Sequence, residues 1–203
     1  MDFCGARDYI IQRLRAELKP TLFYHSVEHT LDVTDAIRRL TEAENIEKKY
    51  STLIETAALY HDAGILVQYA NHESASANLA KEILPGFGYT TKDIEYISGL
   101  IMVTKLPQNP VSLAEKIICD ADLDYLGRKD FFIHSFQLRL EWQVNGIKNM
   151  HLYDWFGAQV TFLSDHQYFT KSALSLRSEQ KDKNLQEVKQ LLNQVTHFQT
   201  LTG

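Results

Sequence analysis

The stretch Tyr24–Leu40, YHSVEHTLDVTDAIRRL, predicts an amphipathic helix that opens with two histidines four residues apart. Its apolar stripe recurs at a helical spacing of three to four residues and consists of His29, Val33, Ala36 and Leu40. A stripe of this kind normally faces the core, so it places one imidazole among apolar side chains, and His25 lies one turn earlier. Buried polar groups need partners, and the partners of these imidazoles must come from elsewhere in the chain.

The remaining segments also show helical periodicity, and none shows a run of strict two-residue alternation. Two capping boxes predict helix starts, one at Thr52 and one at Ser112, each with a glutamate three residues further on. Gly64 suits the C-terminal cap of the helix that begins at Thr52. The last helix, over residues 178–196, is polar and rich in lysine, so we expect it to pack weakly or to leave one face in solvent. The sequence predicts an all-α bundle of about eight or nine helices.

Composition restricts the partners of this chain. Its 203 residues are 44% hydrophobic and 23% charged, which is typical of a soluble globular protein. A net charge of −5 argues against nucleic acid, although one local cationic pocket could still hold a small phosphorylated ligand. No apolar run approaches the ~20 residues that span a bilayer, and the N-terminus is charged throughout. We therefore expect a cytoplasmic protein with a small-molecule substrate and without a nucleic-acid or membrane partner; the sequence does not predict its oligomeric state.

Four places put potential metal ligands on faces that are expected to be buried. They are His25 with His29, the doublet His61-Asp62, His72, and the aspartates Asp120, Asp122 and Asp124. Each alone is more often structural, but a buried carboxylate is costly unless a cation or strong donors compensate it, and one shared divalent cation would satisfy these sites together. Such a mixed N/O ligand set suits Mn²⁺, Fe²⁺, Co²⁺, Ni²⁺ or Zn²⁺, with Mg²⁺ also possible, and the sequence does not determine which ion binds. A metal-bound water would be a nucleophile at neutral pH.

The order of these residues resembles the HD superfamily of metal-dependent phosphohydrolases over roughly residues 20–128. LYHDAG contains the namesake doublet, YHSVEHTLDV is similar to a stretch of the cyclic-nucleotide phosphodiesterases, and DADLDYLG is similar to the closing metal-aspartate motif of bacterial HD proteins. The resemblance implies an HD-domain-like helical bundle in a single domain of residues 1–203. Residues 20–128 would form its metal-binding core, and residues 129–203 would complete the bundle and could contribute to the pocket wall.

The same resemblance implies that His29, His61 and Asp62 are metal ligands. The last ligand stays open between Asp120 and Asp122, because each of them shares a helix face with apolar neighbours and helix geometry does not separate them. The family pattern, Ala-Asp followed by an apolar or basic residue, favours Asp122. Asp120 is then the alternative ligand or a hydrogen-bond acceptor behind the ligands.

Four further side chains are candidates for contacts with the substrate. His25 corresponds to the proton donor of the phosphodiesterases, and an imidazole can protonate an alkoxide leaving group near neutral pH. HD branches with two metals carry later histidines, expected here near residues 101–105, where the chain reads IMVTK. A full two-metal site is therefore not expected, and we expect His72 to contact a phosphate or a water. Lys105 and Arg128 could neutralise a phosphate.

The predicted function is hydrolysis of a small phosphate ester, with a nucleotide, a cyclic nucleotide or another phosphodiester as substrate. The metal would bind a phosphate oxygen and the attacking water, Asp62 or Asp120 would orient that water, and His25 or His72 would protonate the leaving oxygen. The alternative is an HD-like nucleotide-binding or regulatory module without turnover. A third interpretation is a metal-independent helical interaction domain whose histidines belong to the core.

Overall fold

The structure is a computed structural model that describes residues 1–202, with side chains for residues 1–195. Within these residues it is all-α and contains no strand, which confirms the predicted fold class. The nine α-helices are α1 (Phe3–Glu17), α2 (Val27–Ala43), α3 (Lys48–Tyr60), α4 (His72–Ile83), α5 (Thr91–Val103), α6 (Leu113–Asp122), α7 (Phe131–Val144), α8 (Leu152–Asp165) and α9 (Lys171–Thr202). Short 3-10 helices cover Ala63–Leu66, Leu84–Phe87 and Asp124–Gly127. None of the helices described is long and apolar enough to cross a membrane.

The chain forms two compact units, Met1–Leu123 with α1 to α6 and Asp124–Gly203 with α7 to α9. The first unit contains all the predicted metal ligands. The predicted division into a core of residues 20–128 and C-terminal helices of residues 129–203 stays a prediction.

Helix α3 is the central helix of the first unit, since it contacts α1, α2, α5 and α6. Every residue from Leu53 to Tyr60 is buried, as expected for a helix that is largely apolar around its whole circumference. Its polar side chains are paired inside the unit: the Thr56 hydroxyl lies 2.9 Å from the Tyr89 hydroxyl, and the Tyr60 hydroxyl donates to the carbonyl of Ala6. Because the C-terminal end of α3 is buried, the residues that follow it, His61 and Asp62, also lie in the core.

The start of α3 differs from the prediction. The helix begins at Lys48, four residues before Thr52, and the Thr52 hydroxyl donates to the Lys48 carbonyl at 2.9 Å instead of capping the helix. Glu55, the other member of the predicted capping box, is buried and accepts a hydrogen bond from the Arg38 guanidinium of α2 at 3.0 Å. The Glu55 carboxylate thus forms a tertiary ion pair instead of the helix-start hydrogen bond that the local motif predicted. The predicted capping box at Ser112 is present at the start of α6.

Gly64 is also placed differently from the prediction. Helix α3 ends at Tyr60, and Gly64 lies in the following 3-10 helix instead of capping α3. A Cβ at this position would lie 2.1 Å from the carbonyl oxygen of His72 and 2.3 Å from the amide nitrogen of Ser76. The Gly64 amide donates to the Ser76 hydroxyl at 2.7 Å. Only glycine allows this close approach, which packs the turn after Asp62 against the first turn of α4.

In the second unit, α9 begins at Lys171. Asp182, Lys183 and Gln186 are exposed, so the helix leaves one face in solvent, as predicted, while polar side chains of another face bind neighbouring groups. The Arg177 guanidinium binds both carboxylate oxygens of Asp124, at 2.7 and 3.0 Å. The Asn184 side chain donates to the carbonyls of Leu126 and Arg128, and the Lys181 ammonium donates to carbonyls at the end of α8. These residues recur every three to four positions, so one face of α9 is buried through polar contacts that hydrophobic periodicity does not detect.

Candidate metal centre

Three helix ends of the first unit bring the candidate ligands together. His29 lies in the first turn of α2, His61 and Asp62 directly follow α3, and Asp122 is the last residue of α6. His29, His61 and Asp62 are 6%, 1% and 9% exposed, and the side chain of Asp122 is 15% exposed. The site is therefore almost closed to solvent and has a limited opening.

The first group of ligand atoms comprises His29, His61 and Asp122, which each offer one atom within 4.8 Å of the others. Asp122 Oδ1 lies 3.5 Å from His29 Nε2 and 3.4 Å from His61 Nε2. Asp62 Oδ2 lies 3.5 Å from His29 Nε2 and 3.1 Å from His61 Nε2. Two imidazoles and two carboxylates thus converge on one point.

A hydrogen bond to the backbone fixes the orientation of the His61 ring, and a helix cap positions the backbone of His29. His61 Nδ1 donates to the carbonyl of Ala58 at 2.7 Å, which leaves Nε2 to face the carboxylates. The Ser26 hydroxyl caps α2 by accepting the backbone N–H of His29 at 3.2 Å, and the Tyr24 ring lies 4.7 Å from the His29 ring. Metal-ligating histidines are commonly oriented in this way, with the second ring nitrogen held by a backbone carbonyl.

The electrostatic environment couples the imidazoles to the carboxylates. Burial alone would lower the pKa of His61, but the carboxylates of Asp62 and Asp122 raise that pKa well above the ordinary histidine value. Burial alone would raise the pKa of Asp62, but His61 and His72 hold it well below the ordinary aspartate value. Burial also opposes the shift of Asp122, whose pKa is lowered by His29 and His61. Two ionised carboxylates at this depth require a compensating positive charge.

A divalent cation fits this donor set. The Nε2 atoms of His29 and His61 are buried and have no hydrogen-bond partner among the described residues, although carboxylate oxygens lie 3.1 to 3.5 Å away. Unpaired buried polar atoms are costly, and a cation between the imidazoles and carboxylates would pair all four groups at once. His29, His61, Asp62 and Asp122 are therefore the residues that could hold it, and the N/O set matches Mn²⁺, Fe²⁺, Co²⁺, Ni²⁺ or Zn²⁺ better than Ca²⁺.

The structure separates the two aspartates between which the sequence left a choice. Asp122 faces the imidazoles, whereas Asp120 is not in either group of candidate ligands within the described side chains. Asp120 is buried, with 1% of its surface exposed, and it has interaction partners of its own. Of these two aspartates, Asp122 is the one whose carboxylate lies close enough to His29 and His61 to share a cation with them.

A second group of ligand atoms lies on the other side of Asp62 and comprises His25, Asp62 and His72. Asp62 Oδ1 lies 3.3 Å from His72 Nε2, and His72 Nδ1 donates to the carbonyl of Tyr69 at 2.8 Å. The rings of His25 and His72 are 5.1 Å apart. Asp62 therefore divides the site, with Oδ2 toward His29 and His61 and Oδ1 toward this pair.

His25 is placed differently from the sequence prediction. The helix cap is Ser26 and α2 begins at Val27, so His25 precedes the helix instead of lying on its face. Residues 101–105, where HD branches with two metals carry later histidines, include the buried Thr104, whose hydroxyl donates to the Ile101 carbonyl. The group on Oδ1 is thus completed by a residue from before α2, and its three atoms are compatible with a second cation or with contacts to a substrate oxygen.

Two residues of the loop between α5 and α6 reach this site. Gln108 Nε2 donates to Asp122 Oδ2 at 3.1 Å; the sequence analysis missed this residue, because a glutamine in a loop carries no periodicity or motif. The Lys105 ammonium donates to Asn71 Oδ1 at 2.7 Å, which places it beside the residue that precedes His72. Arg128 belongs to the second unit, where its guanidinium pairs with Asp130.

Comparisons with known proteins concern the family and the fold. Residues 26–124 match the HD domain family, which confirms the resemblance on which the ligand assignment depends. An uncharacterized protein of Clostridium beijerinckii is 35% identical over 84 residues, which are 38% of this chain and 51% of the relative. The chain therefore spans about half the length of that curated relative.

Solved structures share the fold. Bacillus subtilis YpgQ in complex with ADP has a TM-score of 0.67 at 22% identity, over 96% of this chain and 97% of YpgQ. A Lactobacillus plantarum protein has a TM-score of 0.71 at 17% identity, over 97% of both chains. A predicted HD superfamily hydrolase from an uncultured Thermotogales bacterium has a TM-score of 0.61 at 18% identity, over 92% of this chain and 91% of its own. At these identities the likeness shows the fold.

Proposed function

We propose that this chain, which carries an HD domain over residues 26–124 and is thereby a member of the HD superfamily, is a metal-dependent phosphohydrolase. The observation that carries the proposal is the pair of buried Nε2 atoms of His29 and His61, which have no hydrogen-bond partner among the described residues and face the carboxylates of Asp62 and Asp122. A closed site with this donor set has the composition of a hydrolytic metal centre.

The side chains divide the chemical work as follows. A bound cation supplies a Lewis acid for a phosphate oxygen and lowers the pKa of a coordinated water. His29, His61, Asp62 and Asp122 hold that cation, and Asp62 also presents Oδ1 as an acceptor that orients the attacking water. His25 and His72 lie on the Oδ1 side, where one of them protonates the leaving oxygen. Asp120 acts as a hydrogen-bond acceptor behind the metal ligands.

The proposed substrate is a small phosphate ester, either a nucleotide or a cyclic nucleotide or phosphodiester. The Lys105 ammonium donates to Asn71, the residue before His72, and it is the candidate of the first unit for a contact with the phosphate. The net charge of −5 disfavours long polyanionic substrates. The YpgQ structure in complex with ADP supports a small phosphorylated ligand for this chain as well.

The test is a substrate panel with purified protein. Phosphomonoesters, phosphodiesters and nucleotides are offered with Mn²⁺, Fe²⁺, Co²⁺, Ni²⁺, Zn²⁺ or Mg²⁺, and phosphate or nucleotide products are measured. We expect metal-dependent turnover that disappears in the double variant His61→Ala, Asp62→Ala. Turnover that survives in this variant would refute the metal assignment.

The alternative function is a nucleotide-binding or regulatory module without turnover, which the lack of histidines at residues 101–105 favours. It predicts a nucleotide-dependent rise in the thermal unfolding midpoint, with no product after prolonged incubation with each metal. The same panel therefore separates the two functions.

Replacing His25 by alanine tests its role as proton donor. General acid catalysis contributes about 100-fold or more when the leaving group is a poor one, so we expect kcat on an alkyl phosphodiester to fall by that factor. Hydrolysis of a p-nitrophenyl ester should change little, because this leaving group departs without a proton. The matched control is His151→Ala, since His151 is an exposed histidine outside the first unit. Equal losses on both substrates, or no loss on the alkyl ester, would eliminate the proton-donor role.

A further inference from the structure

We propose that Gln108 is a positioning residue of the metal centre. Its amide nitrogen holds Oδ2 of Asp122, the carboxylate oxygen that does not face the imidazoles, and its amide oxygen Oε1 is an acceptor at the edge of the site. This inference rests on the metal centre of the proposed function, and it adds a residue that lies in a loop and outside any motif.

The orientation of the Gln108 amide follows from its two partners. Nε2 donates to Asp122 Oδ2 at 3.1 Å and to the carbonyl oxygen of Thr104 at 3.4 Å. Both partners are acceptors only, so the NH₂ group must face them and Oε1 must point elsewhere. The structure therefore defines which end of the amide serves the ligand.

The contact determines how Asp122 can bind a cation. Oδ1 of Asp122 faces His29 Nε2 and His61 Nε2 at 3.5 and 3.4 Å, while Oδ2 is occupied by the Gln108 N–H. A carboxylate held in this way presents one oxygen and keeps its plane fixed, which leaves room around the cation for water and substrate. Outer hydrogen bonds of this kind raise metal affinity by orienting the ligand before the metal arrives.

The other end of the amide is a buried acceptor. Oε1 of Gln108 is buried and has no hydrogen-bond partner among the described side chains and backbone. A buried acceptor without a donor costs about 1–3 kcal/mol, so its persistence requires a compensating contact. Water bound to a cation turns its hydrogens outward and is therefore a donor to its surroundings. We assign Oε1 as the acceptor for such a water or for a substrate hydroxyl.

The loop that carries Gln108 is fixed at both sides of the centre. At one side Lys105 donates to Asn71 Oδ1, one residue before His72. At the other side Gln108 binds Asp122 at the end of α6. Between these anchors Leu106 is 54% exposed, so the loop is held mainly by its polar contacts and little by apolar burial.

The test compares Gln108→Met and Gln108→Ala with the matched loop control Asn109→Ala, since Asn109 is the exposed next residue. Calorimetry measures the Kd for Mn²⁺, and thermal unfolding of the metal-free protein measures stability. We expect the Kd to rise by about 10- to 100-fold in both Gln108 variants, with no change in the control. The metal-free unfolding midpoint of Gln108→Met should be unchanged or higher, because the substitution also removes a buried acceptor without a partner.

A purely structural role predicts the opposite pattern, namely a lower metal-free midpoint with a wild-type Kd, and that result would overturn the inference. If the wild type binds Mn²⁺ and the Gln108 variants bind it weakly, but no phosphate ester is hydrolysed, the inference stands and the proposed function fails. If the wild type binds none of Mn²⁺, Fe²⁺, Co²⁺, Ni²⁺, Zn²⁺ and Mg²⁺, both fail.

Discussion

Asp62→Asn is expected to remove metal binding and to reduce phosphate-ester hydrolysis to background. The Asp62 carboxylate faces both sides of the site: Oδ2 lies 3.1 Å from His61 Nε2, and Oδ1 lies 3.3 Å from His72 Nε2. An amide of the same shape has no negative charge to share with a cation. Residues behind metal ligands already cost 10- to 100-fold in affinity, so we expect the loss of this ligand to exceed about 100-fold.

Calorimetry with Mn²⁺ measures this loss directly, and circular dichroism confirms that the variant remains helical. Asp8→Asn is the matched control, because the side chain of Asp8 is 69% exposed on α1 and pairs only with its neighbour Arg7 in the described contacts. An Asp62→Asn variant that binds Mn²⁺ with the wild-type Kd would contradict the ligand assignment.

Removal of the metal should have the second largest effect, a loss of activity together with a lower unfolding midpoint. Without a cation, the buried Nε2 atoms of His29 and His61 make no hydrogen bond of standard geometry among the described residues, and the Asp62 charge opposes ionisation of Asp122. A cation at one hundred times its Kd stabilises by about 2.7 kcal/mol, and for a chain of this length this corresponds to roughly 5–10 °C in the midpoint. Thermal unfolding with excess Mn²⁺ and with a chelator measures the difference.

The sign of the pH dependence follows from the same groups. In the metal-free protein Asp62 and Asp122 raise the pKa of His61 well above its ordinary value, so a proton on this imidazole competes with the cation as the pH falls. The midpoint shift caused by Mn²⁺ should therefore be larger at pH 8 than at pH 6. Asp62→Asn should show no shift at either pH; a shift of wild-type size in this variant would place the stabilising metal elsewhere.

The sequence was informative where a residue type is costly to bury. Histidines and aspartates on apolar faces indicated one shared centre, and the order of His29, His61 and Asp62 predicted the family that residues 26–124 match. Helix periodicity could not separate Asp120 from Asp122, because both lie on faces of α6 that are buried or partly buried. The choice depends on which face meets α2 and α3, and that is a tertiary property.

The remaining differences have the same origin. Glu55, which was predicted to cap a helix together with Thr52, instead accepts a hydrogen bond from Arg38 on α2. Polar side chains of α9 are buried against backbone carbonyls, and no local sequence pattern predicts these contacts. Gln108 reaches the site from a loop. Each of these contacts joins residues that are distant in sequence. The position of His25 is the exception, because Ser26 caps α2 through a local hydrogen bond and His25 therefore precedes the helix.

A crystal structure of the Mn²⁺-loaded protein, with anomalous diffraction measured at the manganese edge, tests the metal centre directly. We expect an anomalous peak coordinated by His29 Nε2, His61 Nε2, one oxygen of Asp62 and Asp122 Oδ1, with Gln108 still bound to Asp122 Oδ2. A fully loaded crystal without a peak among these four side chains, or with its peak at another site alone, would refute the assignment of this site as the metal centre.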